Sequence, residues 1–197
     1  MTVQTKNYIT PEEYLATERE AAFKSEYYQG EVFALAGAGN NHNIITANLI
    51  ISLGISFKGK NCRVYPSDMR LHIPLNGLYT YPDVLAICGE KQFLDEKKDT
   101  MLNPFLIVEV LSPSTADYDR GTKFMLYRSI PGLQHYLLVD SRSCHVEKFS
   151  KNPDGIWVLT EEKNKNATLT FSNPEFALAM ADIYEDAEVD WKNIDLL

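Results

Sequence analysis

Apolar and polar positions divide this chain into short runs of two kinds. "ITPEEYLATE", residues 9–18, carries a helix-start pattern: Thr10 can cap, Pro11 fits the first turn, and Glu12 and Glu13 suit the positive helix end. "FKSEYYQGEVFALAG", residues 23–37, reads as two short strands turning at Gln29-Gly30, with Glu31 opening the second. From Ile45 to Phe57 every second residue is apolar, which is strand periodicity. The segment runs to about 17 residues, long for a strand, and Asn40 or Asn41 can cap a helix, so its length predicts a helix. Gly54 weakens that helix near its end.

Shorter runs follow. "CRVYPSDMRLHIP" reads as a strand with an irregularity at Pro66, and "TYPDVLAIC" as another, opened by Pro82 and ended near Gly89. "EKQFLDEKKDTMLN" reads as a charged, solvated connector. Residues 105–111 form a continuous apolar strand. A helix of about 10 residues is expected between the Ser and Thr residues at 112–115 and the stop at Pro131-Gly132. "HYLLVD" is a strand, "HVEKFSK" and "WVLTEE" form a hairpin about "NPDG", and "NPEFALAMADIYED" suggests a short amphipathic helix. This order predicts an α+β fold, a mixed α/β sheet of mostly antiparallel strands with helices on its faces.

One position breaks the pattern. Glu109 lies in the middle of "FLIVEVL". A buried, unpaired carboxylate is strongly disfavoured, so it must be paired, hydrogen-bonded, protonated or bound to a cation. Asp83 of "YPDV" is its natural partner, because the loop between the two strands is long enough for them to pair as neighbours. Two carboxylates converging at strand ends offer an oxygen-rich site suited to Mg²⁺ or Mn²⁺. A structural ion pair, or a carboxylate facing solvent from a sheet edge, fits the same spacing. On the following helix Arg120, Lys123 and Tyr127 stand at i, i+3 and i+7 and are expected to share one face. Lys123 could steady a water or a phosphate oxygen and Arg120 hold a phosphate; a solvated face paired to Asp117 or Asp119 is the bland reading. Glu31, Asp68 and His42 are further candidates. His72, His135 and His145 show no metal-binding spacing, and neither a GxSxG nor a Walker pattern occurs.

Composition bounds the rest. The 197 residues are 45% hydrophobic, enough for one domain with its own core. The formal net charge of −8 repels nucleic acid at long range, so DNA binding needs a local basic surface, although a hydrolytic metal site is itself built from carboxylates. Cys62, Cys88 and Cys144 form no CxxC pair, and their odd number argues for buried reduced thiols. No signal-like core and no apolar run of about 18 residues occurs, so a soluble cytoplasmic protein with no membrane partner is expected.

"YPDVLAI" followed by "FLIVEVLSPSTADYDRGTKFMLYRSIPGLQHYLLVD" resembles the Uma-two family of restriction-endonuclease-like bacterial proteins, within the PD-(D/E)XK nuclease superfamily. The resemblance runs from about "SEYYQGEV" to "MADIYED". It implies a restriction-endonuclease-like core with a central mixed sheet of about four strands between helices, after an N-terminal β-hairpin. It implies one domain over 1–197: helix and hairpin at 1–40, core at 41–140, hairpin and C-terminal helix at 141–197. It also implies that Asp83 and Glu109 bind a divalent metal, Mg or Mn, in an endonuclease that hydrolyses DNA. The superfamily lysine usually lies two residues beyond the acid, where this chain has Leu111, and Lys123 resembles a migrated substitute. Glu31 and Asp68 match positions where the family tends to carry acids. A homodimer is expected by analogy, because a duplex has two strands to cut. The alternative is a catalytically inactive nucleic-acid- or protein-binding module on the same fold.

Overall fold

The computed structural model describes residues 8–191. The chain begins with α1 (Pro11–Glu18), closed at its start by a capping box: Glu13 N–H donates to Thr10 Oγ1 at 3.2 Å and Thr10 N–H to Glu13 Oε2 at 2.8 Å. A hairpin of β1 (Ser25–Tyr28) and β2 (Glu31–Ala34) follows. Its turn needs positive φ at both central residues, and Gln29 (50°) and Gly30 (86°) supply it. Next comes α2 (Asn40–Ser56). Ile45, Leu49 and Leu53, four residues apart, are fully buried, while Ile51 and Ile55 are exposed. The alternation in this segment therefore includes residues that face solvent, and the helix expected from length is present.

Two sheets carry the remainder. Strands β3 (Cys62–Pro66), β6 (Val84–Cys88), β8 (Leu106–Leu111), β9 (His135–Asp140), β10 (Val146–Lys151) and β11 (Trp157–Glu162) form a six-stranded mixed sheet in the order β11-β10-β9-β8-β6-β3. Only β8 and β9 within it are parallel, joined through the helix between them. Strands β4 (Arg70–Ile73), β5 (Leu78–Thr80) and β7 (Thr100–Met101) join the hairpin in a second sheet, ordered β2-β1-β5-β4-β7. The connecting helix, α3 (116–127), contains one wide π turn at Asp119–Lys123. A ribbon of β12 (Thr168–Phe171) and β13 (Phe176–Ala179) and the one-turn α4 (Met180–Ile183) complete the described chain. One face of the six-stranded sheet packs on α2, α4 and the ribbon through residues such as Leu106, Val108, Leu178 and Ile183. The other packs on α3 and the second sheet through Ile107, Leu111, Tyr127 and Leu138.

Several local expectations are corrected. "CRVYPSDMRLHIP" is two strands in different sheets, because Met69 N–H bonds back to the Pro66 carbonyl at 3.1 Å and turns the chain. In "TYPDVLAIC" the strand expected between Pro82 and Gly89 is present as β6 from Val84, while Thr80 ends β5. The charged connector holds β7. The tail expected to be helical divides: Phe176–Ala179 is strand, with Phe176 and Leu178 buried and Ala177 exposed, and the helix is confined to Met180–Ile183. Cys62 and Cys88 are not reduced thiols. They are register partners on β3 and β6 and form a disulfide, a proximity that a sequence separation of 26 conceals; Cys144 stays free and buried. Among the described residues no helix is long and apolar enough to cross a membrane.

Candidate active site

The β6–β8 register decides the centre of the molecule. Val84 pairs with Val108, so Asp83, one residue before β6, comes beside Glu109 on β8. Each acid binds the other strand's backbone: Val110 N–H donates to Asp83 Oδ2 at 2.8 Å, and Asp83 N–H donates to Glu109 Oε2 at 3.3 Å. His42, in the first turn of α2, places Nε2 3.2 Å from the same Asp83 oxygen.

Helix α3 brings the cation. Its π turn points both Asp119 and Lys123 inward, and the Tyr136 hydroxyl supports the turn by donating to the Asp119 carbonyl at 3.0 Å. Lys123 Nζ lies 3.0 Å from Glu109 Oε1, 3.2 Å from Glu26 Oε1 and 3.4 Å from Asp119 Oδ1. One turn on, the Tyr127 hydroxyl donates to Glu109 Oε1 at 2.7 Å. Lys123 and Tyr127 thus share a face as their spacing predicts. Arg120 does not join them: it turns outward and pairs with Glu147 at 2.7 Å. The wide turn changes the angular step per residue, so a spacing rule for regular helix misplaces Arg120.

Glu26 went unnoticed in the sequence. It sits on β1 in the second sheet, is 4% exposed, accepts a hydrogen bond from Thr80 Oγ1 and receives the Tyr118 hydroxyl at 3.3 Å. The available signal was the same as for Glu109, an acid inside a short strand rich in large side chains. Glu31, five residues on in the same hairpin, was singled out instead; it begins β2 and does not line the cleft. Asp68 does not line the cleft either; it is exposed in the turn after β3 and pairs with Lys24, a cleft residue, at 3.1 Å. Leu111, where a lysine would be usual, is buried among apolar neighbours, and the Lys123 ammonium reaches Glu109 from α3 in its stead.

Charge is unbalanced here. Glu26, Glu109 and Asp119 surround one ammonium, and Asp83 adjoins them. Burial pushes the Glu109 carboxyl up to about 8, with Asp119 and Asp83 adding to the rise and Lys123 opposing it. Burial also raises Asp119. Burial works against the Lys123 ammonium, yet Glu109, Glu26 and Asp119 hold its pKa well above the usual range. Lys123 therefore stays charged, while the raised Glu109 and Asp119 carboxyls are readily protonated unless a further positive charge faces them.

Asp83, Glu109, Asp119, Lys123 and His42 line one open cleft of about 550 Å³, between the 35–43 segment on one side and residues 112–115 on the other. Among the described residues no group of three or more His, Cys, Asp or Glu side chains is arranged to hold a metal by itself. The donor set is instead two hard carboxylates at the cleft wall, Asp83 partly exposed and Glu109 buried behind it. Mg²⁺ is commonly held by one or two carboxylates with water or substrate phosphate filling the remaining positions, and Asp83 with Glu109 fits that mode.

A mixed sheet flanked by helices, with an Asp and a Glu on adjacent strands and a lysine closing on them, is the restriction-endonuclease-like nuclease fold. Residues 11–181 match the family model Uma2, described as "Putative restriction endonuclease", and the chain belongs to that family. It is 44% identical over 172 residues to the uncharacterized protein sll1609 of Synechocystis sp., covering 87% of this chain and 97% of that one. It is 40% identical over 152 residues to the uncharacterized protein slr1290 of the same organism, covering 77% and 78%. Among solved structures, a "putative nuclease belonging to DUF820" from Anabaena variabilis superposes with a TM-score of 0.72 at 18% identity, covering 89% of this chain and 97% of that chain. At that identity the likeness bears on the fold.

Proposed function

We propose that this chain is a Mg²⁺- or Mn²⁺-dependent endonuclease that hydrolyses DNA phosphodiester bonds, residues 1–197 acting as one unit. The observation that carries the reading is the Asp83–Glu109 pair across β6 and β8, lining an open cleft with Lys123 3.0 Å from Glu109. Asp83 and Glu109 would hold the ion. When bound, a divalent cation lowers the pKa of water and offsets phosphate charge. The protein's own side chains do the positioning. Tyr127 and Lys123 hold Glu109 Oε1, while the Val110 N–H and His42 hold Asp83 Oδ2, so neither acid swings freely. Lys123 also presents positive charge at the cleft, where it can orient a water or meet a phosphoryl oxygen in the transition state.

The test is Mn²⁺- or Mg²⁺-dependent cleavage of DNA by the wild type and by Asp83→Ala, Glu109→Gln and Lys123→Gln, with folding checked by circular dichroism. Cleavage is expected to fall by at least about a hundredfold in the two carboxylate variants, the scale of removing a principal electrostatic group. Wild-type cleavage in a folded Asp83→Ala variant would sink the assignment. The rival, an inactive binding module, draws on the engagement of Lys123 by three carboxylates. It predicts DNA binding with no turnover under any divalent cation.

A further inference from the structure

The β1–β2 hairpin carries large apolar side chains to solvent at the edge of the catalytic cluster. Phe33 is the register partner of Glu26, so the two side chains project from the same face of the hairpin. Glu26 is buried against Lys123, whereas Phe33 is 48% exposed. Tyr118, 37% exposed, also adjoins Glu26: its hydroxyl donates to Glu26 Oε2 at 3.3 Å, and its ring lies 5.7 Å from Lys123 Nζ. Two residues beyond Phe33, Leu35 lines the cleft itself. Two half-exposed aromatic rings therefore stand beside the buried Glu26–Lys123 pair, where water meets them and no core packing explains them.

The charges of the cleft point the same way. Lys24 and Lys123 are its lysines, and it has no arginine. Lys24 is engaged by Ser67 and Asp68, and Lys123 by three carboxylates. The whole chain carries a net −8. Duplex DNA is gripped chiefly by neutralising phosphates, which needs several free cationic side chains. An unpaired strand also makes phosphate contacts, but it has a lower charge density and adds stacking of its exposed bases on aromatic rings, so it needs fewer cationic side chains. We propose that the site takes unpaired nucleic-acid strands (a single strand, a flap or an end) whose bases stack on Phe33 and Tyr118 as the backbone enters the cleft. This rests on the reading of that cleft as a phosphodiester site.

Fluorescence anisotropy with labelled single-stranded and duplex oligonucleotides tests it, with Ca²⁺ replacing Mg²⁺ to hold the complex without turnover. Single strands are expected to bind at least about tenfold more tightly than duplex, and Phe33→Ala to weaken single-strand binding by about tenfold or more. Phe33→Trp should retain the affinity, and both variants should keep the wild-type thermal midpoint. Equal binding of duplex, no binding of either form, or wild-type affinity in Phe33→Ala would overturn the proposal. So would a wild-type dimer that Phe33→Ala dissociates in sedimentation velocity, since the ring would then belong to an interface with a second copy. Mn²⁺-dependent hydrolysis of methyl p-nitrophenyl phosphate separates this from the catalytic reading. That ester makes no use of the stacking surface, so Phe33→Ala should hydrolyse it at the wild-type rate. Single-strand binding that depends on Phe33, without hydrolysis of any ester, would support the stacking surface while removing the nuclease; ester hydrolysis without strand preference would do the reverse.

Discussion

Lys123→Met is the sharpest perturbation the structure offers. Methionine keeps the length of the side chain and its apolar stem but removes the only ammonium lying within 3.4 Å of Glu109, Glu26 and Asp119 among the described residues. All three acids are nearly inaccessible, at 3%, 4% and 3% exposure. Water therefore cannot solvate what the lysine leaves behind. Removing one partner of a buried ion pair typically costs about 3–5 kcal/mol, because the other charge stays buried and uncompensated. Three acids share this lysine, which places the effect at the upper end of that range unless they take up protons. For a chain of this size such a loss lowers the thermal midpoint by roughly 6–20 °C. The assay is urea unfolding in EDTA, followed by circular dichroism, for wild type, Lys123→Met, Glu109→Gln and the double variant. The double variant should be more stable than the sum of the single losses predicts, with a coupling of about 1–3 kcal/mol. A folded Lys123→Met protein within about 0.5 kcal/mol of wild type and without coupling to Glu109 would refute the buried cluster, since changes that small are typical of surface positions.

Two further perturbations test the scaffold. His135 is 3% exposed, with ring nitrogens 2.9 Å from Ser150 Oγ and 3.3 Å from the Ser172 carbonyl, and burial lowers its pKa from 6.5 to about 4. The unfolded chain thus takes up this proton near pH 6.5 and the folded chain only near pH 4, so stability is full above that window and falls as pH drops through it, by about 3 kcal/mol. His135→Gln should flatten that part of the stability-versus-pH curve measured by urea unfolding, and an unchanged slope would count against it. Reduction of the Cys62–Cys88 disulfide, which spans a sequence separation of 26, should lower stability by about 3 kcal/mol through the freedom returned to the unfolded chain. A Cys62→Ser, Cys88→Ser protein with a wild-type midpoint, insensitive to dithiothreitol, would contradict it.

Legibility followed the range of the interactions. α1 was readable because its capping box is closed within four residues. The first hairpin was readable because Gln29-Gly30 sets its turn locally. The split of "CRVYPSDMRLHIP" between two sheets was not, since either half reads as strand and only distant partners separate them. The same holds for β13, whose alternation is explained by pairing with β12. Within the site, an acid in an apolar run announced Glu109, and the loop length allowed Asp83 to be its neighbour. Arg120 was misplaced because a single wide turn of α3 cannot be seen in residue spacing.

Residue order alone was enough for the elements whose signals are local and for the one strand whose carboxylate demanded an explanation, because helix caps, turn residues and the burial of a charge act over a few residues. Which charges meet depends on long-range packing. Glu26 comes from the second sheet, Asp83 and Glu109 from adjacent strands of the first, and Lys123 from a distorted helix turn. Their interaction depends on distances of about 3 Å between segments far apart in the chain, and at such range electrostatic energy is set by burial and geometry rather than by order in the sequence.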